Sequence, residues 1–73
     1  MANTHLGFSV DDIWTLDYPI LSAFINRASS PGWTQLATDV MAYQIARAND
    51  ASEAEIADLL HIAAADSLLL RNL

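Results

Sequence analysis

Apolar positions recur with helical spacing along most of this chain, and the longest regular run lies between Ser30 and Ala48. Within it Trp33, Leu36, Ala37, Val40 and Ala48 fall in one broad arc at about 100° per residue, with Met41 and Tyr43 at its edges. Gln35, Thr38, Asp39, Ala42 and Ala46 fall on the opposite side. Ser30 is placed to cap the first amides, and Pro31 gives up no hydrogen bond at the first helical position. The pattern predicts an amphipathic helix of about five turns, ending at the turn pair Asn49-Asp50.

Three further helices are expected to pack on that run. Ser9-Val10-Asp11-Asp12 resembles a capping box and opens a short helix carrying Val10, Ile13 and Trp14. Pro19 disfavours a helical Tyr18 but suits the first turn of a new helix, with Asp17 or Tyr18 at the cap. That second helix is predicted from Pro19 to about Ala28, with Ile20, Leu21, Phe24 and Ile25 as its apolar stripe. Ser52-Glu53-Ala54-Glu55 is a second capping box, and the last helix is predicted from Glu53 to about Arg71. Its acids sit at the positive end of the helix dipole and Arg71 at the negative end. Residues 1–8 carry no periodic signal and are expected to be flexible. The expectation is therefore a single all-α domain over residues 1–73, a small bundle of three to four helices with the first one short.

The last helix carries more apolar surface than this bundle can use. Ile56, Leu59, Leu60, Ala63 and Leu70 form a stripe suited to the central helix. Ile62, Leu69 and Leu73 form a second side, and Leu68 points elsewhere again. A helix that is apolar on several sides needs several neighbours. At 73 residues the chain is near the size where a lone core is marginal. The missing neighbour is thus expected to be another protein, a second copy of the chain included. The expected partner contacts are Trp33, Ile62, Leu69 and Leu73. Trp33 enters that set as an aromatic anchor beside Pro31-Gly32, against a plainer reading as core that it shares with Trp14, Phe24 and Tyr43.

Composition narrows the partner. Apolar residues make up 53% of the chain and charged residues 16%, which excludes disorder. The formal net charge is −6, from nine acids against Arg27, Arg47 and Arg71. Neutralising phosphates needs a basic surface, so no nucleic-acid partner is expected. Without cysteine there is no disulfide framework, and a cytoplasmic setting fits. The start lacks the pattern of a signal peptide. The longest apolar candidate, Leu59 to Leu70, is broken by His61, Asp66 and Ser67, well short of the roughly 20 residues that span a bilayer. A soluble protein with no membrane partner is expected.

The residues that carry chemistry do not form a site. His5 and His61 are far apart and lack the ligand spacing of a zinc site. Asp11 and Asp12 are adjacent, so on a helix they point in different directions, and their place at a helix start explains them. Glu53, Glu55 and Asp58 have the same explanation. The serines lack a nucleophile-elbow context, and two glycines are too few for a phosphate loop. No catalytic, metal or cofactor-binding residue is assigned, and the chain is not read as an enzyme.

One stretch resembles a known family. Phe8-Ser9-Val10-Asp11-Asp12-Ile13-Trp14, Leu16-Asp17-Tyr18-Pro19-Ile20-Leu21, the turn Pro31-Gly32-Trp33 and the helix with Leu36, Ala42, Ile45 and Ala46 carry the likeness. Together they look like the small tail assembly chaperones of long-tailed bacteriophages, in the segment that recruits the tape measure protein. The likeness runs from Phe8 to about Ala51, and the helix after Ser52 lies beyond it. It implies a non-enzymatic chaperone in the host cell cytoplasm that shields a long helical client through apolar helix faces. The same surface physics suits a small phage-encoded inhibitor that docks on a host protein as a helical dimer. Mimicry of DNA would need acids arrayed like phosphates, and here several are spent on helix starts.

Overall fold

A helix over Pro31–Ala48, α3, is the element on which the others pack in the computed structural model, which describes residues 4–72. Around it lie a hairpin of β1 (Thr4–His5) and β2 (Phe8–Ser9), then α1 (Val10–Thr15), α2 (Tyr18–Arg27) and α4 (Glu53–Arg71). α4 packs along α3, α2 packs on α3 as well, and α1 touches both α3 and α4. The all-α expectation holds, with a two-stranded hairpin added at the front.

The helix ends follow local chemistry. Ser9 Oγ accepts the Asp12 amide at 3.2 Å while Asp12 Oδ2 accepts the Ser9 amide at 2.9 Å, which is a complete capping box. Ser52 Oγ accepts the Glu55 amide at 3.2 Å and starts α4 where expected. Asp17 takes the cap position of α2 and Ser30 that of α3, but neither side chain bonds its helix. Their carbonyls do so instead, accepting Leu21 N–H at 2.9 Å and Thr34 N–H at 3.0 Å, and the prolines in both first turns leave fewer amides to satisfy. α2 is shifted by one residue at each end from the expected bounds.

α3 ends in a Schellman motif. The Ala51 amide donates to Ala46 O at 3.0 Å and the Asp50 amide to Arg47 O at 3.3 Å. Asp50 holds the left-handed backbone (φ 55°) that this motif requires, a place usually taken by glycine.

Residues 1–8 carry the expectation of flexibility; residues 1–3 lie outside the described range, and Thr4 to Ser9 form a hairpin that the pattern did not predict. Thr4 pairs with Ser9 and His5 with Phe8 in antiparallel register. Leu6 and Gly7 make the two-residue turn with φ of 53° and 84°, the positive pair of a type I′ hairpin. Aromatic packing explains why so short a hairpin holds. His5 stacks on Trp33 with ring centroids 5.9 Å apart, and Phe8 meets the edge of Phe24 at 5.7 Å. His5 Nε2 also accepts the Ser29 amide at 3.2 Å, tying β1 to the α2–α3 link.

The core joins Val10 and Ile13 of α1, Leu21 and Phe24 of α2, Trp33, Leu36, Ala37 and Val40 of α3, and Ala63 and Leu70 of α4. Ala48, expected on the buried arc of α3, is exposed and lines an open groove beside the α1–α2 link. Gln44 Nε2 donates to Leu16 O at 2.6 Å and anchors the α1–α2 link on α3.

Replacing Asp50 with glycine removes the strain at the end of α3. Asp50→Gly is expected to raise the unfolding free energy by about 0.5–1 kcal/mol, read as a higher urea midpoint at unchanged m-value.

Candidate functional site

α4 presents apolar residues on most of its circumference, so the question is which of them the fold uses. Ala63, Ser67 and Leu70 are the buried ones. Ser67 is a polar residue facing the core, and it is satisfied twice. Its Oγ accepts Trp14 Nε1–H at 2.8 Å and donates to Ala63 O at 3.0 Å. This chain links α1 to α4 and fixes the rotation of α4 about its axis.

With that rotation set, α4 has two uncovered flanks. Ile62 and Leu69, seven residues apart, lie on one of them, 51% and 67% exposed. Leu60 and Leu68 lie on the other, 40% and 60% exposed, where a groove is completed by Trp14, Ala64 and Arg71. Arg71 reaches across to pair with Asp11 of α1. Both partners of that ion pair are well exposed, which makes it a weak tie.

The four expected contact residues therefore part company. Ile62 and Leu69 are surface residues on one flank. Trp33 is corrected from contact to core: it is 4% exposed, capped by His5 and beside Phe24, because the unforeseen hairpin closes over it. Leu73 lies outside the described residues. Leu60 was expected to pack on α3 and is instead 40% exposed, lining the groove beside Trp14.

Beside Ile62 and Leu69 sits a feature that a reading along the sequence missed. Asp39 of α3, expected on the solvent side, is half-buried and faces Asp66 of α4. Its Oδ1 accepts Gln35 Nε2–H at 3.0 Å, while its buried Oδ2 has no donor apart from a proton shared with Asp66. Burial first, and the neighbouring Asp66 second, push the Asp39 carboxyl up to about 6, against the opposing bond from Gln35. The two acids are 27 positions apart in the chain (66 minus 39), so no local spacing signalled the pair.

Among the described residues no group of three or more His, Cys, Asp or Glu side chains could hold a metal ion. His5 is spent on Trp33 and the Ser29 amide, and His61 is exposed on the outer side of α4. No described helix is long and apolar enough to cross a membrane. Compared with protein-family models, curated proteins and solved structures, the chain gives no match.

Two outcomes test this geometry. Ser67→Ala strips the acceptor from the Trp14 indole and is expected to cost about 1–2 kcal/mol in chemical unfolding, well above a surface serine change. For Asp39 the folded state holds the proton more tightly than the unfolded chain. Its contribution is therefore fully present below about pH 4 and lost as pH rises to about 6. Asp39→Asn keeps the Oδ1 acceptor and adds a donor toward Asp66. Its stability advantage over the parent should grow from near zero at pH 4 to about 1 kcal/mol at pH 7, after allowance for solvent screening.

Proposed function

We propose that this protein is a non-enzymatic interaction module that binds a helical protein client through the uncovered faces of α4, in the manner of a phage tail assembly chaperone. The observation that carries the reading is the exposure of Ile62, Leu68 and Leu69, at 51%, 60% and 67%, on one 19-residue helix. Single exposed leucines are ordinary on any protein. Ile62 with Leu69 on one flank, and Leu60 with Leu68 on the other, give α4 two apolar faces, each suited to burial against another helix.

The fold suits that use. α4 runs the length of α3 and its seam is closed by Gly32, Ala63 and Leu70, so the helix is held rigidly while its flanks stay open. A preformed helical face loses little conformational freedom on binding, which favours affinity. The net charge of −6 keeps such an apolar surface dispersed in water and selects against acidic clients. The likeness of residues Phe8 to Ala51 to the tail assembly chaperones supplies the kind of client, a long helical protein that aggregates when uncovered.

Leu69→Asp tests the reading directly. The variant should keep its helical circular dichroism and urea midpoint, because Leu69 is 67% exposed and is not one of the core residues, yet lose client binding or self-association at least tenfold. A cooperative loss of helicity would instead make Leu69 a structural residue.

A further inference from the structure

The client's chemistry can be specified further from the flank that carries Ile62 and Leu69, an inference that rests on the interaction-module reading. Asp66 lies four residues after Ile62 and three before Leu69, so the three share one side of α4. Its carboxylate meets that of Asp39 across the α3–α4 seam, and Ala42, three residues beyond Asp39, is half-buried on the same side of α3. The seam thus sets two half-buried acids, Asp66 and the more enclosed Asp39, beside apolar side chains. Among the described residues no arginine is paired with either of them. Arg71 is engaged by Asp11, Arg47 lies over the Tyr43 ring at 5.5 Å from its centroid, and Arg27 lines a groove between the hairpin and α2. Gln35 offers Asp39 Oδ1 a neutral donor, and the buried Oδ2 has none apart from a proton shared with Asp66.

From this juxtaposition we infer that the Ile62–Leu69 flank docks an amphipathic helix whose apolar stripe carries a lysine or arginine at its centre, set against Asp39 and Asp66. Apolar residues of the incoming helix cover Ile62 and Leu69, and the cation supplies the positive charge that the seam lacks. A charge-assisted contact in a half-desolvated setting is stronger than a surface ion pair. A second copy of this chain is a poor occupant for the flank. It would bring four carboxylates together on a protein that is already strongly acidic.

The test uses the purified full chain and synthetic helical peptides of about 20 residues, long enough to hold a helix. Each has a leucine stripe interrupted at the centre by lysine, methionine or glutamate. The lysine peptide should bind about tenfold more tightly than the methionine peptide in low salt, with the glutamate peptide weakest and the lysine advantage shrinking as salt rises. Asp66→Asn should erase the lysine preference while keeping residual binding of the methionine peptide, and Leu69→Asp should weaken all three. Circular dichroism on each variant excludes unfolding as the cause. Equal binding of the lysine and methionine peptides overturns the inference and leaves the interaction-module reading intact, whereas failure of every peptide overturns both. A dimer in sedimentation that Leu69→Asp dissolves and Asp66→Asn strengthens would give the flank to a second copy, and so would also overturn the inference.

Discussion

The orientation of α4 depends on a hydrogen-bonded chain from the Trp14 indole through Ser67 Oγ to Ala63 O. The hydrophobic effect is not directional, and each leucine on this helix would gain a similar amount from burial. With large apolar residues at Ile56, Leu59, Leu60, Ile62, Leu68, Leu69 and Leu70, several rotations would bury comparable area against α3. The Ser67 link separates them. Turning α4 by one position would carry Ser67 away from Trp14 and strand a part-buried N–H, which costs more than exchanging one leucine for another. Small residues on the seam act in the same direction. A Cβ at Gly32 would come within 3.1 Å of Leu70 Cδ2, so the start of α3 and the end of α4 fit closely in the observed setting.

A second consequence of small size appears at the other end of the core. A domain this short has few residues to seal its aromatic cluster, and it uses the front of the chain to do so. The hairpin lays His5 flat over Trp33, with the rings 19° from parallel, and brings Phe8 to Phe24. The turn that permits this places Leu6 in a left-handed backbone, a local cost offset by the aromatic burial it secures. The same closure decides the role of Trp33. An indole next to a Pro-Gly turn reads as an exposed anchor until the segment that covers it is seen.

What could be read from the sequence was whatever depends on near neighbours. The bounds of α3 and α4, the Ser9 capping box and the Ser52 cap follow from residues within a few positions of one another, and the structure has them where they were expected. The surplus apolar surface of α4 was equally legible, since helical periodicity alone places Ile62 and Leu69 away from Ala63 and Leu70. The hairpin was hidden because its turn uses Leu6 where asparagine or aspartate usually signals the conformation. The inward setting of Ser67 was hidden because its partner is 53 positions away, and polar residues are read as outward by default. Asp39 was assigned to solvent for the same reason, although α4 covers that side of α3.

Five of the nine acids fall into two groups by cause. Asp12 is explained by its own helix start, where its carboxylate accepts a backbone amide, and Glu53 and Glu55 sit in a first turn that favours negative charge. Asp39 and Asp66 have no such explanation. They are mid-helix, they face each other, and their mutual repulsion works against the seam on which the two longest helices pack. An amide at either place would satisfy the same neighbours at lower cost to the fold. Features that oppose stability while local chemistry offers an easy alternative tend to mark places where something outside the fold is served. That they adjoin the most exposed leucine in the described chain brings the two anomalies, unneutralised charge and uncovered apolar surface, onto one flank of one helix. A cationic apolar helix would resolve both together, whereas each taken alone would call for a different partner.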